Sequence, residues 1–289
     1  MHRALTVPLL ALTVTSLALT LPASTHAATP THATRTTSTQ ALGIPSDCAA
    51  GSISISTQGY RYYVSAVGGR KGASGRLKQQ ALPFQPRHIA RVGGTWAGDA
   101  GTERHVVIDS RGRGHVWNQS INGYLGTGSF TMKRVPGDWS RTQALTASGK
   151  YIYRISGGAL HRYEIGRGGV PVNKVTKVHP VFAGIKTVSV DYSTPQADTV
   201  IATTKGGALV QFKMRRNKTA SGEYTFLRET GFQNFLTFEA GECWNHDDRG
   251  AYFGVTRSKS VYAYYDPNRK DREGTYRGGR VGSWSHRTY

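Results

Sequence analysis

Acidic residues are scarce in this 289-residue chain: 17 Asp and Glu stand against 37 Lys and Arg, a formal net charge of +20. Cysteine is scarcer, with only Cys48 and Cys243, too few to staple a protein of this size and so excluding a disulfide-scaffold domain. Past the first 21 residues no apolar run approaches the roughly 18 residues of a membrane-spanning helix, so no membrane span is expected. Three signatures of common enzymes are also missing. There is no Gly-x-Ser-x-Gly elbow, no His-Glu-x-x-His pair and no phosphate-cradling loop, and the ten His are scattered without ligand spacing. Sustained helical periodicity is absent too, because Gly interrupts nearly every window.

What the chain does have is 35 Gly, 15 Tyr, 9 Phe and 5 Trp. That is too aromatic and Gly-rich for a helical bundle, and 38% hydrophobic residues are too many for a disordered tail. The N-terminus reads as an address. His2 and Arg3 precede a stretch from Ala4 to Leu21 that is apolar apart from four Thr and Ser16, and Thr25-His26-Ala27 offers small residues at the cleavage positions. Residues 1–27 are therefore expected to be a signal peptide, residues 28–47 a flexible Thr/Ala-rich linker and residues 48–289 the folded domain, in a secreted protein. Export permits a Cys48–Cys243 disulfide, and the even count favours it.

A repeat organises the folded part. Arg91-Val92-Gly93-Gly94-Thr95-Trp96, Arg134-Val135-Pro136-Gly137-Asp138-Trp139 and Arg280-Val281-Gly282-Ser283-Trp284 resemble one another, with weaker copies at Phe182–Ile185 and Arg228–Phe232. Between these markers lie β-rich runs joined by short turns: Val106–Ser110 to His115–Trp117, Tyr151–Ser156 to Ala159–Tyr163, Val200–Thr204 to Ala208–Phe212, and Tyr252–Thr256 to Ser260–Tyr264. Each has the signature of a β-hairpin. Units of 43 to 52 residues, each with about four strands, have the size of a propeller blade. Residues 48–289 accommodate five. The last unit has room for only one strand, so the expected fold is an all-β, five-bladed β-propeller in which a C-terminal strand completes the first blade and hides its edge.

This pattern resembles the tachylectin-2 type of five-bladed β-propeller lectin. The resemblance implies binding of N-acetylated amino sugars without metal, cofactor or catalysis. The sequence departs from that family in having diverged repeats and no Asp-Asn-Trp, so no binding residue carries over from it.

Candidate binding residues therefore come from the chain itself. Trp96, Trp139 and Trp284 recur at one position of the repeat and are expected to fill the wedges between blades. Trp117 and Trp244 fall outside that register and are the better candidates for exposed contact. The densest polar cluster, Glu239 to Arg249, falls in the longest interval and reads as an inserted loop. Glu242, Trp244, Asn245, His246, Asp247 and Asp248, with Trp117, are the candidate ligand-binding residues. The loop's oxygen donors match neither an EF-hand nor a zinc pattern, so no metal is assigned. Removing residues 1–27 would take away only Arg3 and leave +19, a charge that attracts polyanions. The expected partners are glycans or anionic cell-surface polymers, with no specific nucleic acid, and the expected state is a monomer. The expected function is non-catalytic carbohydrate binding. The alternative is a secreted polysaccharide hydrolase or lyase, for which Asp109, Asp191, Glu239 and Asp247 are the acids able to meet at a central channel.

Overall fold

In four of the five repeats the same side-chain device closes the turn between the second and third strands. The oxygens of Ser56, Asp109, Thr204 and Thr256 accept from the backbone N–H four residues on, at 3.2, 2.8, 2.9 and 3.2 Å. Such local side-chain bonds are why Ser, Thr and Asp favour turns. Blade three does without one: Gly157 and Gly158 both adopt positive φ (59° and 74°), which the tight two-residue hairpin turn requires. In three blades the turn also receives the next connection, because the N–H groups of Leu82, Phe232 and Trp284 donate to the carbonyls of Gly59, Gly207 and Lys259 at 2.9 Å.

The computed structural model of the protein describes residues 43–217, 222–273 and 276–289. The expected signal peptide and most of the expected linker lie outside the described residues. The end of that linker departs from expectation: Ile44 packs against the core of blade one and the Asp47 carbonyl accepts from the Trp244 N–H at 3.1 Å. An apolar side chain and a backbone partner dock residues that Thr/Ala composition alone marks as a tether.

Five antiparallel sheets follow in sequence. From the inner strand outward, blade two is Pro86–Ala97, Ala100–Asp109, Gly114–Asn122 and Thr127–Val135. Blade three is Thr142–Ala147, Tyr151–Ser156, Ala159–Ile165 and Pro171–Val178; blade four is Ile185–Ser193, Ala197–Thr204, Leu209–Arg215 and Gly222–Arg228. Blade five is Phe235–Ala240, Gly250–Thr256, Ser260–Asp266 and Arg277–Ser283. The inner strands surround a channel of about 320 Å³.

Blade one draws on both ends of the domain. Cys48–Ile55, Arg61–Val67 and Arg70–Arg76 form its outer three strands, and Arg287–Thr288 pairs antiparallel with Ser54 and Ile55 on the inner side. The Tyr289 N–H donates to the Ile53 carbonyl at 3.0 Å, and Ser54 Oγ donates to the Arg287 carbonyl at 2.9 Å. The expected closing strand is therefore present. Beside it Glu242–Cys243 pairs with Cys48 and Ala49, and the Cys48–Cys243 disulfide links residues 195 apart in sequence.

The core is five clusters rather than one, each at the interface of two neighbouring blades. Trp139 fills the wedge between blades two and three with Val116, Val135 and Tyr163. Phe182 does so between blades three and four with Tyr153 and Phe212, and Phe232 between four and five with Phe235 and Phe238. Trp284 sits between five and one with Val64 and Phe253, its indole N–H donating to Ser54 Oγ at 2.8 Å. Between one and two the cluster is Ile55, Leu82, Ile89, Val107 and Trp117. Two expectations change here. Trp96 is not a wedge residue but lies 47% exposed near the tip of the long inner hairpin of blade two, its place in the repeat taken by Leu82. Trp117, expected at the surface, is fully buried with the Arg61 guanidinium over its ring at 5.5 Å.

Two stability measurements follow. Replacing Cys48 and Cys243 together by alanine is expected to cost about 2–5 kcal/mol in urea unfolding, since the bridge closes a very long loop. Trp139→Ala, which empties a wedge, should cost about 3–5 kcal/mol. Unchanged midpoints would contradict the closed ring and the wedge role respectively.

Candidate functional site

At the mouth of the channel where the inner strands end, a cavity of about 870 Å³ opens between blades four, five and one. The inserted loop of blade five forms one wall. Its entry is fixed by Gly241, where a Cβ would collide with the Ala49 carbonyl, and by the disulfide two residues later. This close approach carries Trp244 out over the cavity, 62% exposed. Tyr63, on the third strand of blade one, also lines the cavity and is 52% exposed.

One arginine from the long outer connection of blade five holds the floor. Arg269, 9% exposed, donates from Nη1 to the Asp191 carbonyl at 3.0 Å and from Nη2 to the Asp247 carbonyl at 3.0 Å. Its guanidinium lies over the Tyr192 ring at 5.4 Å and 3.7 Å from Asp191 Oδ1. It thereby ties the end of blade four's inner strand to the inserted loop. The buried Asp191 also accepts from the Tyr252 hydroxyl at 3.1 Å. Burial outweighs both partners and pushes its carboxyl up to about 7.

Deeper in the channel Glu239 accepts from Ser189 Oγ at 2.9 Å, and Ser189 Oγ in turn accepts from the Ala240 N–H at 3.0 Å. Burial raises Glu239 to about 7 as well, against the Ser189 hydrogen bond. Of the four acids expected to meet at a channel mouth, Asp191 and Asp247 line the cavity and Glu239 lines the channel beneath it. Asp109 does not join them. It sits fully buried in the turn of blade two, where burial works against ionisation but Arg113 and His115 prevail and draw its carboxyl down to about 2.

Among the candidate residues, Glu242, Trp244 and Asp247 line the cavity. Asn245, His246 and Asp248 belong to the same loop but do not line it: the His246 N–H turns back to the Cys243 carbonyl at 3.0 Å, and the Asp248 carbonyl accepts from the Arg269 N–H at 2.8 Å. Trp117 is remote, enclosed between blades one and two. Tyr63, Arg91, Arg269 and Lys270, which also line the cavity, escaped sequence reasoning. Arg269 and Lys270 look in the sequence like any basic surface cluster. Among the described residues no three His, Cys, Asp or Glu side chains gather closely enough to hold a metal ion.

The raised Glu239 carboxyl gives a pH signature. The folded chain binds that proton more tightly than the unfolded chain, so its contribution to stability is complete below about pH 4 and is lost as pH rises towards about 7. His88, pushed down to about 4 mainly by burial, and the buried His105, also lowered, act in the opposite sense. They are common to the wild type and a Glu239→Gln variant. Relative to wild type, Glu239→Gln should therefore gain stability progressively across that window in urea titrations, and parallel curves would contradict it.

No protein-family model matches the chain, and no curated protein matches it. Among solved structures the chain is similar to the BP39L lectin from Burkholderia pseudomallei, at 14% identity and a TM-score of 0.38, over 81% of this chain and 65% of that one. It is similar to BBS1N in its complex with ARL6DN, at 13% identity and a TM-score of 0.37, over 74% and 56% of the two chains. It is also similar to AofleA from Arthrobotrys oligospora, at 10% identity and a TM-score of 0.42, over 83% and 70%. The chain spans less than two thirds of the length of the first two.

Proposed function

We propose that this protein is a secreted, non-catalytic carbohydrate-binding propeller, and that its ligand is an N-acetylated amino sugar held at the cavity between blades four, five and one. The observation that carries this reading is that two exposed aromatic rings, Trp244 and Tyr63, line one polar cavity. A pyranose presents an apolar face that packs on an aromatic ring and an equatorial rim of hydroxyls that needs hydrogen bonds. Asp247 and Glu242 supply acceptors, and Arg91 and Lys270 supply donors. The large positive charge would concentrate such a protein near anionic envelope polymers before specific contact.

A second reading, hydrolysis or lysis of a polysaccharide, is favoured by one observation. Asp191 and Glu239 both hold a proton up to about 7, where a general acid works best. Asp191 is already committed to Arg269 and Tyr252, which favours a structural role for it.

On a glycan array the wild type is expected to select amino sugars in physiological salt. Trp244→Ala should weaken that signal about tenfold or more, the loss of a stacked ring being worth roughly 1.4 kcal/mol, and Asp247→Ala should weaken it as well. Absence of sugar selectivity, or full binding by both variants, would overturn the lectin reading. Turnover of a labelled polysaccharide, abolished by Glu239→Gln, would establish the second.

A further inference from the structure

The other mouth of the channel, where the inner strands begin, is built differently. In four blades the pairing of the inner strand with its neighbour skips one residue near its start: Arg87 in blade two, Gln143 in blade three, Lys186 in blade four and Leu236 in blade five. Each skip is a β-bulge, which frees the extra residue from the ladder and re-aims its side chain. A bulge repeated at one position of four blades is a feature of the ring rather than a local accident. Arg87, Lys186 and Leu236 from this set line a cavity of about 510 Å³ at that mouth, together with Arg257, Lys259 and Arg287.

The five cations come from blades one, two, four and five. None of them has a carboxylate within ion-pair distance among the described residues. Three are held instead by carbonyls of the following blade or its entry loop: Arg287 Nη2 donates to the Arg87 carbonyl at 3.3 Å, Arg87 Nη1 to Ser140 at 2.9 Å and Lys186 Nζ to Gln233 at 2.8 Å. A carbonyl orients a cation without cancelling its charge, and each side chain keeps further N–H donors. Burial first, and then the neighbouring Arg257, lower the Lys186 ammonium. Glu239 is the one acidic side chain in the lining.

We propose that this mouth is a second binding site, separate from the sugar cavity, and that it takes a phosphate-bearing polyanion. Cations spread around a ring from four blades match several linked anions better than one. The three guanidiniums favour phosphate, whose oxygens fit their fork of donors.

Titration with inorganic polyphosphate at two ionic strengths tests the assignment. Arg257→Glu with Lys259→Asn alters two exposed side chains at the mouth. This variant should bind about tenfold or more weakly and show a shallower salt dependence than wild type. Lys133→Glu with Lys213→Asn makes the same change of charge on exposed residues of outer strands, and should bind within about threefold of wild type. Trp244→Ala should bind polyphosphate as wild type does, whatever the fate of the sugar reading. Equal losses in the two charge variants would reduce the effect to net charge and overturn the site. Equally tight binding of a carboxylate polymer such as polygalacturonate would overturn the phosphate assignment.

Discussion

A blade of this protein is a sheet with two apolar faces, and neither face can be left to water. Val116 and Trp117 are adjacent in one strand and both buried, one in the cluster towards blade three and the other in the cluster towards blade one. Each sheet therefore needs a neighbour on both sides, and a row of such sheets satisfies that need only by closing on itself. The burden of closure falls on blade one, whose inner strand comes from the end of the chain. Trp284, the disulfide and the Tyr289 backbone bond all lie at that junction.

The same closure shapes the two mouths of the channel. At the strand ends, the junction of blades five and one brings the inserted loop against Cys48 and carries Trp244 into the cavity that Tyr63 also lines. The buried guanidinium of Arg269 then fixes the loop to blade four through carbonyl and carboxylate contacts. Its charge is offset by Asp191 and by three carbonyls within 3.5 Å, that of Gly241 included, the compensation that a buried cation demands. At the strand starts, bulges free Arg87 and Lys186 from the ladder, and these two share a cavity with Arg257, Lys259 and Arg287. One mouth is aromatic and mixed in charge; the other is cationic.

Much of this architecture was legible in the sequence because turns are local. The short turns at 111–114, 157–158, 205–207 and 257–259, most of them using Gly, mark hairpins whose observed strands coincide closely with the expected runs. The blade count and the closing strand followed from their spacing and from the short final unit. Three things were not legible. Trp117 could not be placed, because alternation separates core from solvent only when one face of a strand is wet. Trp96 mimics the repeat motif while sitting on a hairpin extension, and Leu82, the residue in its place, carries no distinctive signature. The partners of Arg269 lie at residues 191, 241 and 247, brought together by folding alone, and the bulges at 87, 143, 186 and 236 depend on pairing register, which single-strand patterning does not encode.

The ring itself can be tested at one amide. If the terminal strand closes blade one, the Tyr289 N–H, bonded to the Ile53 carbonyl at 3.0 Å, should exchange with deuterated solvent at a rate set by opening of that junction, orders of magnitude slower than in an unstructured peptide. Exchange as fast as in a free C-terminal tail would contradict the closed propeller.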